Sequence, residues 1–144
     1  MKIKVLLVMP NKEVQVVKIP ASTKFIKAFI GDDLYRVKLN ETTVLIANKN
    51  AKVDEFNRIL GENILLGIFL IVSIKNNHRV SMKKKDIRKF TNMFKLRKHQ
   101  RKVELYKRNL LNVRINRNDV NILWTNKKQL FIYKLKSQKN KEKM

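Results

Sequence analysis

Twelve cations stand in the 26 residues from Lys83 to Arg108. They are Lys83, Lys84, Lys85, Arg88, Lys89, Lys95, Arg97, Lys98, Arg101, Lys102, Lys107 and Arg108, with Asp86 and Glu104 as the acids among them. Fixed cations in such a row neutralise a polyanion, and each phosphate they neutralise releases condensed counterions. The competing reading is a solvated helix face made Lys-rich by codon usage. Asn, Ile and Lys are all abundant, as in an AT-rich genome. Such a genome would supply Glu too, yet in residues 82–144 the glutamates are Glu104 and Glu142. Codon usage explains the lysines and not the missing acids, so the expected partner is nucleic acid, RNA or DNA, or a host nucleoprotein complex.

A second group lies further along. Tyr106, Trp124, Phe131 and Tyr133 interleave with Arg114, Arg117, Lys127, Lys128, Lys134 and Lys136. Aromatics beside cations stack bases and hold backbone in single-stranded binders, which makes Tyr106, Trp124 and Tyr133 stacking candidates. The stronger reading makes Trp124 and Phe131 the core of a hairpin, because aromatics dominate cores.

Other chemistry finds little to stand on. Asp32-Asp33 and Asp54-Glu55 are the adjacent acid pairs, and neighbours on a strand point to opposite faces, so neither pair clamps a metal. His78 and His99 are the histidines, and His99 lies in a cationic stretch that opposes its protonation. With three glycines, Gly31, Gly61 and Gly67, no nucleotide-binding fingerprint can be written. No Ser/His/Asp arrangement and no metal-ligand spacing is present. The expectation is a non-enzymatic protein with no catalytic residues, no metal, no cofactor and no small-molecule substrate.

The charge has a boundary. Residues 1–81 carry 13 Lys and Arg against 7 Asp and Glu, whereas residues 82–144 carry 21 against 4, for +23 over 144 residues. A field that one-sided opposes compaction and favours meeting a polyanion. Yet 44% of residues are hydrophobic, enough for a core, so this is no disordered polycation. The absence of Cys suits a reducing interior. The run Val5–Met9 is too short for a signal h-region, and Ile64–Ile74 spans eleven residues where a membrane helix needs about 20. A cytoplasmic protein that makes no membrane contact is expected.

The elements that must position these residues follow from periodicity. Ile3, Val5 and Leu7 alternate as a strand, Pro10-Asn11-Lys12 turns, and Val14, Val16 and Lys18 face opposite to Gln15, Val17 and Ile19 in a second strand. Ser22 or Thr23 caps a helix over Lys24–Ile30 that Gly31 closes. Tyr35, Val37 and Leu39, then Thr43–Asn48, give two more strands. Lys49–Glu62 reads as a loop or short helix, and Ile64–Ile74 as one buried central strand. Asn76-Asn77 turns. Ser81 then caps a helix from Met82 to about Arg97 whose apolar stripe is Ile87, Phe90 and Phe94. It runs on to about Asn112 or breaks within 97–102. Val113 and Ile115 alternate as strand. Val120, Ile122 and Trp124 alternate as well, and pair across a turn with the strand of Leu130, Ile132 and Lys134. Ser137–Met144 is a frayed basic tail.

Residues 1–96 resemble a family of small proteins from phages, plasmids and conjugative elements of Firmicutes, the domain-of-unknown-function 3846 type. The carriers are Met9-Pro10-Asn11-Lys12, Phe29-Ile30-Gly31, Val44-Leu45-Ile46-Ala47-Asn48, Asn57-Arg58, Leu66-Gly67-Ile68-Phe69-Leu70-Ile71-Val72, and Ser81 through Phe94. Two departures stand out: Asp32 where members usually have a second Gly, and Lys83-Lys84-Lys85 where they are usually acidic. The resemblance implies a mobile-element origin and no chemistry.

The expected fold is α+β, a small mixed or antiparallel sheet packed against a basic helix, with a C-terminal β-hairpin. Residues 1–81 form the sheet core. Residues 82–144 form a basic extension, whether one compact domain with that core or an appendage to it. The genomic company of the family suggests an anti-defence inhibitor, such as an anti-CRISPR protein, acting on a host nucleic-acid machine. DNA mimics are acidic and this chain is basic, so it would grip guide RNA, target strand or an acidic surface. The alternatives are a stand-alone nucleic-acid-binding regulator or chaperone, and an interaction protein docking on an acidic partner.

Overall fold

The computed structural model describes the chain apart from residues 53–54, 62, 116–119, 125–130 and 136–144, with backbone alone from residue 106 onward. Its elements are β1 (Lys2–Val8), β2 (Gln15–Pro20), α1 (Thr23–Ile30), β3 (Leu34–Asn40), β4 (Thr43–Asn48), β5 (Phe56–Leu60), β6 (Asn63–Leu66), β7 (Phe69–Lys75), β8 (His78–Val80), α2 (Lys84–Met93), α3 (Leu96–Ile115), β9 (Val120–Trp124) and β10 (Phe131–Leu135).

The α+β expectation holds, and all the pairings are antiparallel. One sheet has the order β2-β1-β7-β4-β3, with β8 also on β7. Alternation along its strands makes two apolar faces. Ile3, Val5, Leu7, Ile46, Leu70 and Val72 face one way and pack with Ile26 and Ile30 of α1. Leu6, Val8, Leu45, Ala47, Phe69 and Ile71 face the other way and pack with Phe90 of α2 and Phe94. The sheet is thus a filling between two helices. Burying a Phe or Leu side chain this fully stabilises by roughly 1.5–3 kcal/mol.

The tight turns are chemically apt. Asn76 and Asn77 join β7 to β8 with φ of 52° and 63°, a left-handed pair that Asn tolerates and that matches the twist of a hairpin. Gly31 has φ 146°, and a Cβ there would come within 2.7 Å of Asn48 Nδ2, so this position requires glycine.

Five expectations need correction. Lys49–Glu62 contains strand β5. It lies covered on both sides, with Phe56, Asn57, Arg58 and Ile59 all buried, so no alternation betrays it. Ile64–Ile74 is two strands in two sheets, because Gly67, at φ 71°, turns the chain between them and donates its N–H to the Glu55 carbonyl at 2.7 Å. Ser81 is no helix cap. Its Oγ accepts from Lys4 N–H at 2.9 Å, and the residue before α2 is Lys83, with no side-chain capping bond. The helix breaks at Phe94-Lys95, earlier than 97–102, and resumes as α3. Val113 and Ile115 belong to α3 rather than to a strand.

The second sheet runs β5-β6-β10-β9. The expected C-terminal hairpin is present, with Phe131 opposite Trp124 and Tyr133 opposite Ile122. Phe131 also pairs with Ile64 of β6, which joins the hairpin to the strands before it.

Candidate nucleic-acid interface

A helix displays whatever it does not bury. In α2 the residues turned to the sheet are Ile87 and Phe90, followed by Phe94, and both phenylalanines are 0% exposed. That facing leaves Lys84, Lys85, Arg88 and Lys89 in solvent, with Lys83 exposed just ahead of them. Among the described side chains of α3, His99 and Val103, four residues apart, are buried, and Arg97, Lys98, Arg101 and Lys102 are exposed. Lys95 sits half-buried in the break between the helices. Eight of the sequence-predicted cations are therefore exposed on two successive helices.

Asp86 and Glu104 are the acids that stand in sequence between Lys83 and Arg108. Lys38 pairs with Glu41 at 3.6 Å, in the first half of the chain. Two cations of the face have neutral partners. Lys98 Nζ donates to Asn92 Oδ1 at 3.2 Å, and Lys89 Nζ stands 5.4 Å from the centre of the Phe90 ring. Between α2 and the sheet edge β2 runs an open groove of about 840 Å³. Val16, 51% exposed, and Ile87 contribute apolar surface to it, while Lys84, Lys85, Arg88, Lys89 and Lys95 supply its charge.

The junction of α2 and α3 is fixed by two buried basic side chains. Arg58 on β5, 0% exposed, donates from Nε to the Phe94 carbonyl at 2.8 Å and from Nη1 to Asn57 Oδ1 at 2.9 Å. Nη1 also reaches the Met9 carbonyl at 3.4 Å, and Nη2 donates to the Lys12 carbonyl. Asn57 completes the set by donating to the carbonyls of Val8 at 3.0 Å and Gly67 at 2.7 Å. Burial pushes the Arg58 pKa down, outweighing the charge of Glu13, which raises it.

His99 of α3 accepts the Ile59 N–H on Nδ1 at 3.1 Å. That bond requires Nδ1 to be bare, so Nε2 carries the proton and donates to the Met93 carbonyl at 2.9 Å. The imidazole is stacked on Phe94 with ring centres 5.8 Å apart. Its pKa lies below the usual 6.5, chiefly because of burial; Arg58, Lys102 and Lys98 lower it further against the opposing Met93 bond. The direction matches the sequence reading, but burial outranks the cations as its cause.

The remaining predicted residues fall elsewhere. Tyr106, Lys107, Arg108 and Arg114 lie on the backbone of α3, Trp124 on β9 and Tyr133 on β10. Arg117, Lys127 and Lys128 lie outside the described residues, as does Asp54. Sequence reasoning gave no role to Val16, Arg58 or His99. Val16 carried no signal beyond its place in an alternating strand. Arg58 had one, a long cation flanked by Phe56 and Ile59, which only paired or hydrogen-bonded burial can accommodate.

Among the described residues no helix is long and apolar enough to cross a membrane. A family model described as a domain of unknown function (DUF3846) matches residues 1–95. No curated protein and no solved structure matches the chain.

Proposed function

The chain belongs to the DUF3846 family, and we propose that it binds nucleic acid through the basic face of α2 and α3, without catalysing a reaction. One observation carries the proposal. Lys83, Lys84, Lys85, Arg88, Lys89, Arg97, Lys98, Arg101 and Lys102 are all exposed, and in sequence only Asp86 and Glu104 stand as acids between Lys83 and Arg108. Crowding like charges on two helices opposes folding, and a polyanion is the partner that turns the cost into affinity.

The nucleic acid is bare or is held in a host machine such as a CRISPR effector or a restriction enzyme. In the second case the protein is an anti-defence inhibitor from a mobile element, gripping guide or target strand. Bare binding supports the regulator or chaperone role.

Fluorescence anisotropy with labelled RNA and DNA over a salt series tests the proposal. Log affinity is expected to fall linearly with log salt. Replacing Lys83, Lys84, Lys85, Arg88 and Lys89 by Glu is expected to abolish binding, the five contacts accounting for about 4.5 of the slope on duplex DNA. A folded variant that binds with unchanged slope overturns the assignment. Capture from host lysate with and without nuclease separates the settings. Capture lost on nuclease treatment supports a nucleic-acid target, and capture that survives it points to an acidic protein instead.

A further inference from the structure

The groove beside α2 does not look like a seat for a duplex. A duplex presents phosphates and groove edges, with its base faces hidden in the stack. Its backbone has no use for an apolar surface set among cations. Here Val16 on the sheet edge and Ile87 on α2 lie in one open groove with Lys84, Lys85, Arg88 and Lys89. Val16 is 51% exposed although it is a β-branched apolar residue in a strand next to the core. The groove, about 840 Å³, falls within the range of clefts that enclose small organic ligands, roughly 300–1,000 Å³.

We propose that this groove takes single-stranded nucleic acid, its bases laid on Val16 and Ile87 and its phosphates on the surrounding cations. The inference rests on the nucleic-acid reading above and narrows it. A single strand is the polyanion that also offers apolar faces, one per nucleotide, whatever its sequence. Charge complementarity continues beyond the groove, since Arg97, Lys98, Arg101 and Lys102 carry the same sign along α3. That extension suits a long phosphate chain rather than a short acidic peptide. The floor is aliphatic, so base contacts there are hydrophobic and independent of base identity.

The test compares four probes at matched charge and salt: single-stranded RNA, duplex DNA, inorganic polyphosphate and poly-glutamate. The single strand is expected to bind tightest, since polyphosphate offers the phosphates without the bases. Val16→Ser removes apolar surface at an exposed position and should weaken single-strand binding roughly tenfold, while leaving duplex and polyphosphate binding unchanged. Circular dichroism and urea denaturation verify that the variant folds. Equal affinity for all phosphate probes, with no effect of Val16→Ser, overturns the groove assignment and leaves general nucleic-acid binding intact. Tighter binding of poly-glutamate overturns it in favour of an acidic protein. No binding of any phosphate probe defeats the broader reading as well.

Discussion

α1 and α2 cover opposite faces of one sheet, yet they are secured in opposite ways. α1 is finished locally at both ends. Ser22 Oγ accepts the Phe25 N–H at 3.3 Å, and the Gly31 N–H donates to the Lys27 carbonyl at 2.9 Å. α2 begins without a side-chain cap, and Lys84 and Lys85 occupy its first turn beside Asp86, where the helix is already positive. What holds α2 is its far end: Phe90 and Phe94 in the core, with Arg58 and His99 on the carbonyls of Phe94 and Met93. The side-chain cap is kept where the helix only supports the sheet and is missing where the helix shows charge. Such conflicts concentrate at functional sites.

The largest test of that contrast is Arg58→Leu. It strips the donor from the Phe94 and Lys12 carbonyls and from Asn57 Oδ1, in the middle of the packed junction. A buried acceptor left unsatisfied costs about 1–3 kcal/mol, so the expected loss is roughly 3–5 kcal/mol by urea denaturation. Ser22→Ala, which removes the α1 cap, should cost only about 1 kcal/mol. Hydrogen exchange should show the Arg58 variant opening first at α2 and α3. If Arg58→Leu costs no more than Ser22→Ala, the two helices are secured alike and the contrast is wrong.

The same contrast governs what the sequence could reveal. β1 to β4, α1 and the Asn76-Asn77 turn were legible because each obeys a local rule: period two, a cap, a turn residue. The stripe of Ile87, Phe90 and Phe94 was legible for the same reason, and with it the exposed cations opposite. β5 was not legible, because a strand buried on both faces whose middle is Asn57-Arg58 matches no hydrophobic pattern. The sheet change at Gly67 was hidden inside an apolar run. Ser81 resembled a cap, but its hydroxyl is committed 77 residues back, to the Lys4 N–H. What sequence reading missed are long-range polar bonds, which carry no period.

His99 gives the contrast a pH dependence. Its Nδ1 must stay bare to accept the Ile59 N–H, and its folded pKa is depressed by burial, with Arg58, Lys102 and Lys98 adding to the effect. The unfolded chain takes up the proton near its ordinary 6.5, before the folded one does. Stability from this group is therefore full above about pH 6.5 and is lost as pH falls through the lower folded value. The urea midpoint should fall between about pH 7.5 and pH 5 in the native chain. In His99→Gln, which keeps a donor and an acceptor but cannot take a proton, it should fall less. Hydrogen exchange under acid should open α3 against β5 while α1 stays protected. An identical decline in His99→Gln would place the titrating group elsewhere.

The smallest expected stability change cuts deepest, because its sign runs against its effect on binding. Lys84 and Lys85 meet the positive end of the α2 dipole, so replacing both by Glu should stabilise the fold by about 1 kcal/mol. Nucleic-acid affinity should drop in the same variant, since two phosphate contacts become repulsions. Lys24 occupies the first turn of α1 and is also exposed. Lys24→Glu should bring a comparable gain per charge with no change in affinity. Stability measured by urea denaturation and affinity measured by anisotropy would then move in opposite directions on α2 and independently on α1. That pairing would mean that the α2 lysines are kept at the expense of the helix that carries them. A loss of stability on reversing Lys84 and Lys85 would mean that they serve the fold, and the distinction between the two helices would collapse.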